Sequence, residues 1–157
     1  MNKLTLTTTT LAVSAASASG SLASPQRNLA WYARLRKPSY QPPGIAFPVV
    51  WTALYGDIAT TSAVAIDRFH AAEQHDKARR FIAALGVNLV LNAGWSWLFF
   101  RYHKLGAAAV GAAALTVSSA DLARRAADAR VGAALLPYPL WCAFATVLST
   151  HIWRLNR

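Results

Sequence analysis

The sequence predicts an all-α integral membrane protein, a bundle of five transmembrane helices forming a single domain over residues 1–157. Three observations carry that expectation. Of the 157 residues, 55% are hydrophobic and only 14% charged, against roughly 25% charged in an ordinary soluble domain. The uncharged residues fall in runs of the length, about 20 residues, that crosses a bilayer as a helix. The charges are lopsided, 16 Lys and Arg against 6 Asp and Glu, and nearly all lie between the runs. Disorder is excluded, because disordered chains are poor in apolar residues. A soluble nucleic-acid-binding domain would share the net charge of +10, but not six Trp within long uncharged stretches. The single cysteine, Cys142, excludes a disulfide framework or a cysteine-based metal site within one chain.

The first span, about 4–24, is rich in Thr, Ser and Ala and has two readings. As a secretory signal peptide, Lys3 is its basic end, Leu4–Val13 its apolar core and Ala16-Ser17-Ala18 its cleavage site. As a helix, Ala12, Ala16 and Gly20 form a small-xxx-small ridge suited to close packing. A loop over 25–45 follows. The second span, 46–66, is broken only by Asp57, and the remaining spans cover about 79–101, 104–123 and 132–154. These elements leave no room for a separate soluble domain, and no internal repeat is visible. Orientation should follow from Lys and Arg in the loops. Eight lie at one end of the bundle and eight at the other, so the rule selects neither.

At about 100° per residue, each helix separates into faces. On the third span Asn88, Asn92, Trp95 and Phe99 share a stripe. An amide in hydrocarbon needs a hydrogen-bonding partner, so this stripe faces protein or a cavity. Gly86 and Gly94 lie opposite, a smooth surface suited to another helix and to a homodimer. Trp51, Tyr55 and Ile58 share a face of the second span, and Tyr138, Trp141, Ala145 and Leu148 one of the fifth. These stripes read either as ordinary aromatic core or as walls of one pocket for a flat apolar ligand. Asp57, an intramembrane acid, is a site candidate by default. It stands roughly 120° or more from Trp51 and Tyr55 around the helix. Its expected role is therefore a hydrogen bond to hydroxyls of a neighbouring helix, among Thr5 to Thr10.

The loop contains the most distinctive stretch, Trp31-Tyr32-Ala33-Arg34-Leu35-Arg36-Lys37-Pro38-Ser39-Tyr40-Gln41-Pro42-Pro43. Its three prolines disfavour a continuous helix. A stiff, basic, aromatic loop fits a cap over a pocket at the membrane surface, or a connector whose cations meet headgroups. With V-W-x-x-L-Y at Val50–Tyr55, L-N-x-x-W-x-x-x-F-F at Leu91–Phe100 and P-Y-x-x-W-x-A-F-A-T at Pro137–Thr146, followed by Ile152-Trp153-Arg154, this stretch resembles the TspO/MBR family. That family comprises the bacterial tryptophan-rich sensory proteins and the mitochondrial translocator protein. The matching motifs occur in order over residues 31–154.

The resemblance implies a five-helix bundle, often dimeric, with the first segment retained as a helix and a ligand cavity beneath the loop. It implies binding of porphyrins and other tetrapyrroles, haem-like ligands included, without a covalently held cofactor; mitochondrial relatives also take cholesterol and synthetic ligands. The family's pocket residues correspond to Trp51, Asn92, Trp95, Trp141 and Ala145, with Tyr32, Tyr55, Phe99 and Leu148 as further wall or lid positions. Arg34, Arg36 and Lys37, with Pro42 and Pro43, are the mouth and lid candidates, the cations meeting ligand carboxylates. Asn92 is expected to donate to a polar ligand edge. Departures are present: Gly44-Ile45 replaces the usual Trp after Pro-Pro, Tyr40 stands where Trp or Phe is common, and the proline of the family's P-V-W falls at Pro48. Thr150 occupies the tyrosine place of the mitochondrial sterol motif, which argues against cholesterol as the native ligand among tetrapyrrole or sterol-like molecules.

Two functions follow as expectations. The first is a membrane receptor, carrier or sensor in a multi-pass bacterial cell-membrane protein, with no nucleic-acid partner. The alternative is an enzyme of light- or oxygen-dependent porphyrin breakdown using Trp51 and Trp141. The sequence offers no triad, paired carboxylates or metal-ligand cluster for conventional catalysis. His70, His75, His103 and His151 lie in loops or near helix ends. A scaffold without any saturable ligand is the third reading.

Overall fold

A computed structural model describes residues 2–157, with Gln26 and Arg27 described in backbone only. Six α-helices are present among them: α1 Lys3–Leu22, α2 Gln26–Arg34, α3 Ala46–Ala71, α4 His75–Ser96, α5 Leu105–Asp128 and α6 Pro137–Leu155. A π-helical turn, Trp97–Arg101, extends α4, and a 3-10 turn, Gly132–Leu135, precedes α6. Four helical units are long and apolar enough to cross a membrane: α3, α4 with its π turn, α5, and α6 with its 3-10 turn. The expected count of five is therefore met only as far as these four. α1 has the length, 20 residues, but its Thr and Ser lower its apolarity.

Local chemistry explains the elements. The Asn2 side chain caps α1 by accepting from the Leu4 N–H at 2.9 Å, and the Asn2 N–H reaches across to Asp67. Thr7, Thr8 and Thr9 donate back to carbonyls one turn earlier. These bonds satisfy hydroxyls that would otherwise be costly in an apolar medium. The buried ridge of α1 is Thr9, Val13 and Ala16, leading to Gly20; Ala12 is exposed, so the expected ridge is rotated by about one residue. A Cβ on Gly20 would stand 3.1 Å from Ser96 Oγ, which explains the small residue there.

The loop was expected to be irregular throughout, but α2 occupies its first half. Pro25 starts this helix, and the backbone turns extended at Leu35, before Pro38 could interrupt it. The prolines thus limit the helix rather than prevent it. α3 and α5 run to Ala71 and Asp128, beyond the expected ends at 66 and 123. The charged residues that bound a hydrocarbon span do not end a helix; they continue it into the interface. Three connections turn through left-handed residues that are not glycine: Glu73, His103 and Arg130, with φ of 56°, 54° and 59°.

α1 packs along α3 and α4, α4 against α5, and α5 most extensively against α6, while α3 and α6 touch only lightly. α5 is fastened along its length to α6 and to the 3-10 turn before it. Trp153 lies over Gly106 at one end, the Thr116 and Thr146 hydroxyls are 2.9 Å apart in the middle, and Gly132 crosses the Ala123 backbone at the other. The main core joins Leu54, Ile58, Phe81, Leu122, Leu135 and Tyr138. A second cluster, around Phe99, Leu148 and Ile152, lies under the loop. Leu11, Val87, Val90, Val117, Leu140 and Val147 point outward, as the lipid-facing side of a bundle requires.

Candidate functional site

The light contact between α3 and α6 leaves a cavity of about 670 Å³, within the roughly 300–1,000 Å³ typical of small-molecule sites. α3 lines it with Phe47, Trp51 and Tyr55, one per turn. α6 contributes Trp141, Ala145 and Leu148, and α4 contributes Asn92 and Trp95. Leu29 and Tyr32 of α2 cover it, and Ser17, Ser21 and Ser24 give it a hydroxyl-bearing side from α1. α5 contributes nothing. The nine residues expected at a ligand site, Tyr32, Trp51, Tyr55, Asn92, Trp95, Phe99, Trp141, Ala145 and Leu148, all border this one space.

Sequence reasoning missed Phe47, Leu29 and Phe100. Phe100 enters because the π turn adds a residue to its helical repeat, bringing positions five apart onto one face. Trp95 stacks on Phe99 at 5.6 Å and meets Phe100 edge-on at 6.1 Å. Tyr32 sits edge-on to both phenylalanines, at 5.7 and 5.8 Å. The paired Phe-Phe of the third motif was the available signal. On the other wall Trp51 stacks on Tyr55 at 5.4 Å, and Phe47 meets Trp141 edge-on at 6.0 Å.

A polar chain runs from the cavity into the bundle. The Tyr55 hydroxyl donates to Asn92 Oδ1 at 2.8 Å, and Asn92 Nδ2 donates to the Tyr138 hydroxyl at 3.3 Å. Tyr138 donates to Asn88 Oδ1 at 2.9 Å, and Asn88 Nδ2 donates to Ser118 Oγ at 3.1 Å. The expected stripe is therefore polar on its inner side, but Asn92 is engaged with two tyrosines rather than free for a ligand edge. The Trp95 and Trp141 indole N–H groups are buried and without a partner. Burial also raises the Tyr32 phenol above its ordinary pKa of 10.0, so it stays protonated at neutral pH.

The mouth candidates Arg34, Arg36, Lys37, Pro42 and Pro43 do not line the cavity. Lys37 Nζ donates to the Ala33 and Leu35 carbonyls at 3.0 and 3.2 Å and lies 4.9 Å over the Tyr32 ring. It ties off the end of α2. Arg34 and Arg36 are exposed. The covering segment is held at three places. Trp31 stacks on His103 at 3.8 Å, the Arg36 N–H and carbonyl both bond the Asn156 amide at 2.9 and 2.8 Å, and the Tyr40 hydroxyl pairs with His151 Nδ1 at 2.6 Å.

Asp57 is half-buried, off the cavity. Its Oδ1 accepts from Thr61 of its own helix at 2.8 Å, and its Oδ2 has no partner. The expectation of a bond to Thr5–Thr10 is corrected: those α1 hydroxyls that hydrogen-bond turn back onto their own helix, and i,i+4 spacing hands Asp57 a nearer donor. All four histidines are exposed and none borders the cavity. Among the described residues no group of three or more His, Cys, Asp or Glu is arranged to hold a metal.

The TspO/MBR family model matches residues 7–154. Protein CrtK of Rhodobacter capsulatus is 32% identical over 93% of this chain and 89% of its own. Tryptophan-rich protein TspO of Archaeoglobus fulgidus is 32% identical over 99% of both chains, and the human translocator protein 33% identical over 82% of this chain and 76% of its own.

Proposed function

Because the chain belongs to the TspO/MBR family and is a multi-pass integral membrane protein, we propose that it is a membrane receptor, carrier or sensor binding a flat, apolar tetrapyrrole in the covered cavity. One observation carries this reading: aromatic faces from α2, α3, α4 and α6 surround one space, which α1 edges with the hydroxyls of Ser17, Ser21 and Ser24. A flat ring stacks on the aromatic walls, and polar groups at its edge meet the serine hydroxyls of α1. A porphyrin, with polar edges on an apolar plane, supplies both features; a sterol, with one hydroxyl, supplies less. In this reading α1 is the fifth spanning helix, since 20 residues rise about 30 Å, the thickness of the hydrocarbon core.

The test is a titration with protoporphyrin followed by tryptophan fluorescence. Saturable quenching at micromolar concentration is expected, weakened in Trp95→Phe and Trp141→Phe; unsaturable quenching would refute the proposal. A second reading, oxidative porphyrin breakdown, draws on the Trp51–Tyr55 stack, a contiguous π pair at the cavity wall. Illumination of the complex in air separates the two: a product spectrum lost in Trp51→Phe favours reaction, and unchanged porphyrin favours binding alone. We also propose a homodimer through the Gly86/Gly94 face of α4, where a Cβ on either glycine would meet nothing within 4 Å. Gly86→Leu is expected to shift the detergent-solubilised dimer to monomer in light scattering.

A further inference from the structure

The even split of Lys and Arg conceals an uneven split of acids. Apart from Asp57, every acidic side chain, Asp67, Glu73, Asp76, Asp121 and Asp128, lies at the end of the bundle away from the loop. Four cations there are paired: Lys77 with Asp128, Arg79 with Asp76, and both Arg124 and Arg125 with Asp121. Arg68 at the same end donates to the Ala129 carbonyl at 2.9 Å. The loop end carries eight cations and no acidic side chain, and none of its described cations forms an ion pair. The three segments bearing them converge, because Trp31 stacks on His103 of the α4–α5 turn and Arg36 is bonded to Asn156 at the end of α6. Arg34, Arg36, Arg101, Lys104 and Arg154 are all exposed. Interspersed among them are exposed Ile45, Tyr102, Trp153 and Leu155, and Arg157 lies 5.7 Å over the Trp153 ring.

We propose that this face binds anionic phospholipid headgroups in preference to zwitterionic ones. The cations sit at the ends of membrane-crossing helices, beside exposed aromatic and aliphatic side chains. That mixture belongs where headgroups meet hydrocarbon. An acidic protein docking on the same cations would leave those apolar side chains in water, so the lipid is the better occupant. Unpaired cations lose no carboxylate partner on meeting a phosphate, whereas the four paired cations at the opposite end would first have to release theirs. The cavity's own ligand plays no part in this inference.

The test uses the full chain in detergent micelles doped with phosphatidylglycerol or phosphatidylcholine, with retained lipid read by native mass spectrometry. Each cation facing an anionic surface strengthens binding by about five-fold. Arg34→Gln/Arg36→Gln/Arg154→Gln is therefore expected to lower the phosphatidylglycerol preference by about 10- to 100-fold, after screening by salt. Lys77→Gln/Arg79→Gln/Arg80→Gln, at the opposite end, is expected to leave the preference within about two-fold. Arg101→Gln/Lys104→Gln provides an independent loop-end variant should the triple fail to fold. Equal retention of the two lipids by the wild type overturns the proposal and favours an acidic protein as the occupant. An equal loss in the opposite-end variant overturns it as well, because overall charge would then suffice.

Discussion

Tyr138→Phe isolates the polar chain beneath the cavity. The residue is fully buried, and its ring meets Trp51 edge-on at 6.3 Å, a contact phenylalanine keeps. Only the hydroxyl is lost, and with it two bonds: its donation to Asn88 Oδ1 at 2.9 Å and its acceptance from Asn92 Nδ2 at 3.3 Å. Asn88 and Asn92 are buried too, 0% and 2% exposed, so water does not replace the missing partner. An orphaned buried group costs about 1–3 kcal/mol, whereas a side-chain bond between membrane helices averages about 0.6 kcal/mol. Two groups at an intermediate cost give about 2 kcal/mol, or roughly 4–8 °C in melting temperature for a chain of this size. Tyr55→Phe is the comparison. It removes one bond rather than two, its donation to Asn92 Oδ1, and is expected to cost about half as much, roughly 1 kcal/mol. Thermal unfolding in detergent, followed by tryptophan fluorescence, measures both. A Tyr138→Phe protein melting within about 1 °C of wild type, or a Tyr55→Phe protein no more stable than it, would refute the idea that these hydrogen bonds among α3, α4, α5 and α6 stabilise the bundle.

Gly132→Ala is expected to destabilise by about 3 kcal/mol, because its Cβ would stand 2.6 Å from the Ala123 carbonyl oxygen and 2.8 Å from the Ala127 nitrogen. Gly56→Ala, whose Cβ would meet nothing within 4 Å in the middle of α3, should instead raise the melting point through about 0.8–1.0 kcal/mol of helix propensity. Glu73→Gly relieves a left-handed backbone at φ 56° and should stabilise by roughly 0.5–1 kcal/mol in the same melt. Asn156→Ala removes both bonds to the Arg36 backbone. Amide hydrogen exchange over residues 36–41 should quicken by about five-fold, as expected for about 1 kcal/mol of lost tethering; unchanged exchange would show that the other two fastenings suffice.

Regular helix was the part most legible in the sequence. Stripes at a fixed angle brought Asn88, Asn92 and Trp95 to one side of α4 because that helix is regular as far as Ser96, and Phe99 joins them from the π turn. The same arithmetic failed one residue later, where the π turn readmits Phe100 and no periodic reading reports the added residue. α2 was illegible for another reason. Nine residues carrying Arg27 and Arg34 look like a basic loop, and packing of Trp31 and Tyr32 on Phe99 is what supports the helix. Charge at the loop pointed to a ligand mouth, but Lys37 has nearer acceptors in the carbonyls ending α2. Local hydrogen bonds also decided Asp57, which took Thr61 on its own helix over a threonine on another. For Lys37 and Asp57 a short-range partner won over the long-range one that composition suggested.

The three fastenings between α5 and α6 divide the bundle mechanically. With close contacts at each end and a hydroxyl pair midway, α5 and the α6 unit form the most extensively packed wall of the bundle. α3 faces that wall lightly and carries the opposite aromatic ladder, so the width of the cavity reduces to one distance, from α3 to α6. If the cavity takes a ligand as proposed, α3, with α1 packed along it, is the side expected to yield to a thicker one. Spin labels placed on the lipid-facing sides of α3 and α6 would register ligand size, while a pair spanning α5 and α6 would stay constant.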